Sequence, residues 1–116
     1  MKATTAVAAL AALAQENRLA VFRALVQAGP EGLCPTDLGK KLDVASATLS
    51  FHLAQLRHAG LITVTRHGRS LTYAANFPVM DALIGFLTEN CCNGDVAACA
   101  SPVFRAGARG RKMERA

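Results

Sequence analysis

The chain has 116 residues, 52% apolar but only 5% aromatic, and a formal net charge of +5. That length is enough for one domain with a modest core and not comfortably for two. No run of about 18 apolar residues occurs, which excludes a membrane-spanning helix. The charge is unevenly placed. Residues 101–116 hold Arg105, Arg109, Arg111, Lys112 and Arg115 against Glu114, so the basic character belongs mostly to the end of the chain. Between Asp43 and Asp81 there is no acidic residue, while Arg57, Arg66, Arg69, His52, His58 and His67 fall in that window. A basic, acid-free stretch in a near-neutral domain is a candidate phosphate-binding face.

The opening residues, Lys2 followed by "AVAALAALA", resemble a short secretory signal. With one charge and an alanine-rich centre they read instead as an amphipathic helix over Thr5–Ala14, with Val7, Leu10 and Ala14 on one side. A second helix is predicted over Glu16–Ala28, with Leu19, Phe22 and Val26 as its stripe, Leu25 beside it, and a stop at Gly29-Pro30. A short third helix follows Pro35 and ends near Leu42. Asp43–Ala45 is a tight link. A fourth helix opens at Ser46, an N-cap residue type, and ends at Gly60, with Leu49, Leu53 and Leu56 as its buried stripe. Thr48, Phe51, Gln55 and His58 lie away from that stripe.

The hydrophobic period then changes to two. Leu61–Thr65 and Ser70–Ala74 are predicted strands around a hairpin tip, Arg66–Arg69, that contains a glycine. Pro78 opens a last helix at its first position. Met80, Leu83, Ile84, Leu87 and Cys91 keep helical spacing, and Asn93-Gly94 is the stop signal. The fold class is therefore mostly α with a β-hairpin: about five helices plus a two-stranded wing. Residues 1–92 are expected to form one winged helix-turn-helix domain for DNA binding and dimerisation. Residues 93–116 form a tail that carries Cys99 and, after Ser101, a disordered basic end.

Two short helices on a tight link make a helix-turn-helix, and the outer face of the second would lie in the major groove. Thr48, Ser50, His52 and Gln55 offer donors and acceptors, with Ser46 and Arg57 at the ends of the helix. Phe51 is placed to touch a thymine methyl. Arg66, His67 and Arg69 at the hairpin tip reach phosphates or a minor groove. Taken singly, each residue has a plainer role as cap, packing group or solvated charge; taken together, DNA binding is the better reading.

"LAQENRLAVFRAL" (13–25), "DLGKKLDVASATLSFHLAQLRHAGLI" (37–62) and "RHGRSLTYA" (66–74) resemble the ArsR family of metal- and metalloid-sensing repressors. The pattern Ser50, His52, Leu53, Leu56, Ala59, Gly60, Leu61 is the most specific part of the likeness, which covers roughly Ala9 to Cys92. The resemblance implies a cytoplasmic homodimer, joined through its first and last helices, that binds an inverted-repeat operator in double-stranded DNA and leaves it when ligand binds. It also shows two departures. Many arsenic-sensing relatives carry a cysteine cluster in the third helix, and here only Cys34 remains of it, with Thr36 and Gly39 in the other places. Zinc-sensing relatives pair Asp and His on the last helix, and here that helix has Asp81 and no histidine.

The remaining thiols are Cys91, Cys92 and Cys99. Thiolates select soft ions. Three of them neutralise a trivalent arsenic or antimony centre, so the site needs no buried counter-ion. Zn²⁺ wants four ligands and would have to recruit Asp95, Cys34 or water. Metalloid binding ranks first, a thiol redox sensor second, and a zinc or cadmium site third. Cys34 reads as partly buried and inert. Cys99 to Arg105 also fits Cys-x5-Arg, an anion-cradling loop of some phosphatases, but Pro102 removes one of the N–H groups it needs and no glycine is present. No catalytic role is assigned. A protein that coats DNA without sequence preference is the remaining rival.

Overall fold

The computed structural model describes residues 1–94. In chain order these form α1 (Ala3–Leu13), α2 (Glu16–Ala28), α3 (Pro35–Leu42), α4 (Ser46–His58), β1 (Ile62–His67), β2 (Ser70–Ala75), α5 (Phe77–Leu87) and a 3₁₀ turn at Cys91–Gly94. This is the winged helix-turn-helix expected from the periodicity: five helices and a two-stranded antiparallel sheet. The described residues divide into two units, Met1–Leu83 and the residues from Ile84 on. Among the described residues no helix is long and apolar enough to cross a membrane.

The core of the first unit is a set of leucines drawn from every element around the helix-turn-helix. Leu25 of α2, Leu38 of α3, Leu49 and Leu56 of α4 and Leu61 before β1 are its largest fully buried side chains, with Val21. Burying each contributes about 1.5–3 kcal/mol, so the α4 stripe alone sets how that helix rolls against the domain. The α2 boundaries agree with those read from the sequence, but its buried face is Val21, Phe22, Ala24 and Leu25, and Leu19 is exposed. In α1 the buried residues are Ala6 and Ala9, whereas Val7 is 65% exposed and Leu10 is also outside. The larger apolar side chains of α1 thus point away from this core.

The turn between α3 and α4 is tight because Asp43 takes a left-handed conformation (φ 54) as the C-cap of α3 and the Val44 N–H bonds to the Gly39 carbonyl at 3.0 Å. Asp tolerates that region better than most side chains. Ser46 does not cap α4; it is the first helical residue, Ala45 precedes it, and no side chain caps the helix. The far end of α4 follows the sequence closely. Gly60 (φ +81) bonds to the Arg57 carbonyl at 2.9 Å, and Leu61 bonds to the Leu56 carbonyl at 3.0 Å. That pair is a Schellman motif, and it needs a residue free to adopt positive φ.

The hairpin pairs Ile62 with Ala75 through to His67 with Ser70. Only Gly68 and Arg69 remain in the turn, so Arg66 and His67, expected at the tip, belong to β1. Gly68 at φ 62, with Arg69 not left-handed, matches a II′ turn. A single residue extends the sheet: Leu33 bridges Tyr73, with N–H···O bonds of 2.8 and 2.9 Å in the two directions. Gly32 makes this approach possible, because a Cβ there would sit 2.1 Å from the Tyr73 carbonyl oxygen.

Pro78 occupies the second position of α5, not the first, because Asn76 caps the helix and Phe77 opens it. The helix also stops earlier than its apolar spacing suggests. It ends at Leu87, and Asn90, Cys92 and Asn93 all take left-handed φ values between 55 and 59. Cys91 therefore leaves the helical stripe and starts a separate 3₁₀ turn.

Candidate nucleic-acid interface and thiol site

α4 presents two opposed faces. Leu49, His52, Leu53 and Leu56 are all buried and stand at i, i+3, i+4 and i+7, the spacing of a single helical stripe. His52 is thus inward, 6% exposed, and not on the outer face where base contacts were expected. Its Nδ1 is buried without a hydrogen-bond partner among the described residues. Ser46, Thr48, Ser50, Phe51, Gln55 and Arg57 are exposed, as are Ala47, Ala54 and His58. Phe51 is 57% exposed and meets the His52 ring edge-on, with centroids 5.8 Å apart and planes at 60°.

The wing adds cations behind this helix. Arg66, His67 and Arg69 are exposed. By strand alternation Arg66 shares a face with Ile62 and Val64, while His67 shares the other with Thr63 and Thr65. Arg69 stands in the turn. Between α3 and α4 lies a cleft lined by Thr36, Lys40, Asp43 and Ser46 among others. Lys40 was not among the residues picked from the sequence; its place one turn before a helix-turn-helix link was the available signal.

Asn76 was also missed, and it ties this unit together. Its side-chain Nδ2 donates to the Gly60 carbonyl (3.1 Å), its Oδ1 accepts from the Val79 N–H (3.4 Å), and its backbone N–H donates to the Leu61 carbonyl (2.8 Å). One residue thereby joins the end of α4, the end of the hairpin and the start of α5. An Asn just before Phe-Pro is a capping signal that could have revealed it.

In the second unit, Cys91 is half-buried and Cys92 exposed, and their sulfurs are 3.6 Å apart. Two thiolates on one tetrahedral ion with ~2.3 Å metal–sulfur bonds stand about 3.8 Å apart. A disulfide would need about 2.05 Å. At 3.6 Å the two sulfurs are in hydrogen-bond contact and are not joined by a disulfide. Cys99, the third expected ligand, lies outside the described residues. Among the described residues no three His, Cys, Asp or Glu side chains gather to hold a metal ion. Cys34 is half-buried at the N-cap of α3 and makes no capping hydrogen bond through its side chain.

With this geometry in view, comparisons with known proteins agree on the architecture. A helix-turn-helix domain family matches residues 13–65. A crystal structure of the transcriptional regulator HlyU from Vibrio vulnificus is 31% identical, with a TM-score of 0.56 over 77% of this chain and 90% of that one. The chain belongs to the ArsR/HlyU family of winged helix-turn-helix transcriptional regulators. A Halobacterium salinarum protein, provisionally named arsenical resistance operon repressor ArsR, is 40% identical over 67 residues, which is 58% of this chain and 51% of that protein. The chain spans about half the length of the curated relatives it matches. The homodimeric winged helix-turn-helix domain Mb0332 from Mycobacterium bovis shares the fold at 19% identity, with a TM-score of 0.59 over 80% of this chain and 86% of that one. These relatives are transcriptional regulators rather than enzymes.

Proposed function

We propose that this regulator is an operator-binding repressor, active as a homodimer, that leaves its DNA when trivalent arsenic or antimony binds Cys91, Cys92 and Cys99. DNA reading rests on the exposed face of α4, with Thr48, Ser50 and Gln55 toward base edges and Ser46, Arg57, Arg66, His67 and Arg69 toward phosphates. His52 serves this interface from inside, by packing under the helix. Support for the dimer comes from apolar side chains left outside: Val7 and Leu10 on α1, Ile84 and Leu87 on α5. The Mycobacterium bovis neighbour, itself a homodimer, supports the same assembly.

The observation that carries the ligand assignment is the 3.6 Å separation of the Cys91 and Cys92 sulfurs. Both lie directly beyond α5, so closing Cys99 onto them crosses only a short loop, at small entropic cost. The three thiolates and a +3 centre together are neutral, so the site needs no buried counter-ion. Ligand binding would pull the chain onto the end of α5, next to the exposed Ile84 and Leu87, and so change how two subunits meet. Both recognition helices must match the groove at once, so a small change releases the dimer. Titrating the protein–operator complex with arsenite, antimonite, Zn²⁺ and Cd²⁺, while following thiolate–ligand absorbance, tests this. Release by arsenite at one ion per chain is the expected result. Release by Zn²⁺ alone, or only by oxidant, rejects the metalloid assignment.

A further inference from the structure

At about 100° per residue, Ala47, Phe51, Ala54 and His58 all fall within about 30° of the direction opposite the middle of the buried α4 stripe. All four are exposed. The outermost strip of the recognition helix is therefore apolar through Ala47, Phe51 and Ala54, and its polar residues flank that strip. The Phe51 ring meets buried His52 edge-on. An aromatic ring this exposed between two alanines costs solubility and adds nothing to the core. It sits in the acid-free window from Asp43 to Asp81, on the helix that also carries Arg57, so the surface around it is suited to a polyanion. In the major groove, the only apolar group a base pair offers is the C5-methyl of a pyrimidine.

Resting on the DNA-binding reading above, we infer that Phe51, with Ala47 and Ala54, selects operators by a pyrimidine 5-methyl group at the centre of each half-site. Thymine supplies that methyl, and 5-methylcytosine supplies the same group in the same place. The helix would then distinguish the pyrimidine by its methyl, while Thr48 and Gln55 read hydrogen-bonding edges on either side.

The test uses the full chain and an operator obtained by selecting binders from random duplexes. Each thymine of a half-site is replaced singly by 2′-deoxyuridine, which removes one methyl and leaves base pairing intact. At one central position the replacement should weaken binding about three- to fivefold, the worth of one buried methyl-sized group. Cytosine and 5-methylcytosine at that position, each paired with guanine, should differ by the same factor. Phe51→Ala should abolish both differences while keeping the response to substitutions opposite Gln55. Phe51→Leu, which keeps an apolar tip, should retain part of them. A melting curve for each variant separates lost folding from lost recognition. A selected operator with no methyl-sensitive position, or a methyl effect that survives Phe51→Ala, overturns this inference and leaves the DNA-binding reading standing. Selection that returns no preferred sequence overturns both.

Discussion

The recognition helix and the cysteine turn both display exposed chemistry, yet they are held in different ways. α4 is fixed from below by Leu49, Leu53 and Leu56, closed by a Schellman motif at Gly60, and tied to the hairpin and α5 through Asn76. Its outward residues inherit their positions from a packed core. Cys91 and Cys92 follow the end of α5 in a turn built from consecutive left-handed residues, with Cys92 and Asn93 both exposed. Side chains on a packed scaffold are preorganised for a rigid partner such as a duplex. A turn held by local backbone bonds can be rebuilt by a ligand at little cost to the fold. Such a division lets a regulator change its response without losing its reader.

The largest effects should separate the two regions by stability. Leu56→Ala removes a fully buried side chain from the α4 stripe and should cost about 2–5 kcal/mol, measured by urea or thermal unfolding. Cys92→Ser, at an exposed position, should stay within about 0.5 kcal/mol of the parent. Equal losses in the two variants would mean that the thiol turn is part of the cooperative core after all.

Ligand response should divide the other way. Cys91→Ser, Cys92→Ser and Cys99→Ser should each keep operator affinity and lose arsenite-induced release, a coupling of about 1–3 kcal/mol per site. Cys34→Ser should respond like the parent, since Cys34 sits at the start of α3 and not in the thiol turn. Gel-shift titrations against arsenite read both. If Cys99→Ser still releases DNA at the parent's arsenite concentration, a three-thiolate site is excluded.

Asn76 tests the joint between reader and α5. Asn76→Ala deletes the α5 cap and the bond to the Gly60 carbonyl, and should cost about 0.5–2 kcal/mol of stability. Operator affinity should fall with it, because the orientation of the hairpin against α4 loosens. An unchanged melting temperature would show that the backbone bond from Asn76 to Leu61 suffices.

How far each region was legible follows from the same contrast. Periodicity identified Leu49, Leu53 and Leu56 because a buried stripe must repeat at helical spacing, and the glycine at 60 marked the end of α4. It misplaced His52 because residue type suggested a polar exterior, although its i+3 position from Leu49 already put it on the buried side. Apolar spacing in α1 pointed to Val7 and Leu10, yet the core takes Ala6 and Ala9, because a periodic pattern shows that a face is apolar and not what covers it. The thiol turn was hardest to read. Leu83, Leu87 and Cys91 continue the α5 spacing, but Asn90 turns left-handed first and ends the match. Asn adopts that conformation more readily than most residues, so the stop signal came three residues before the Asn93-Gly94 pair.

The smallest expected effect is at the wing, and it isolates electrostatics from shape. Arg66 leaves the end of β1 and Arg69 stands in the two-residue turn; both are exposed. A guanidinium that touches a phosphate releases about one counterion, so each contact steepens the dependence of log affinity on log salt by about 0.9. Arg66→Ala or Arg69→Ala should flatten that slope by about one and change nothing in the ranking of operator sequences. Between 50 and 200 mM salt this corresponds to an affinity ratio only about 3.5-fold smaller than the parent's. Arg23, exposed on α2 and outside the acid-free window, provides the control, since Arg23→Ala removes the same charge from another face. If Arg23→Ala flattens the slope as much as the wing variants, net charge accounts for the effect and the wing makes no phosphate contact. If only the wing variants do so, the hairpin touches the backbone and the base-reading task falls to α4 alone.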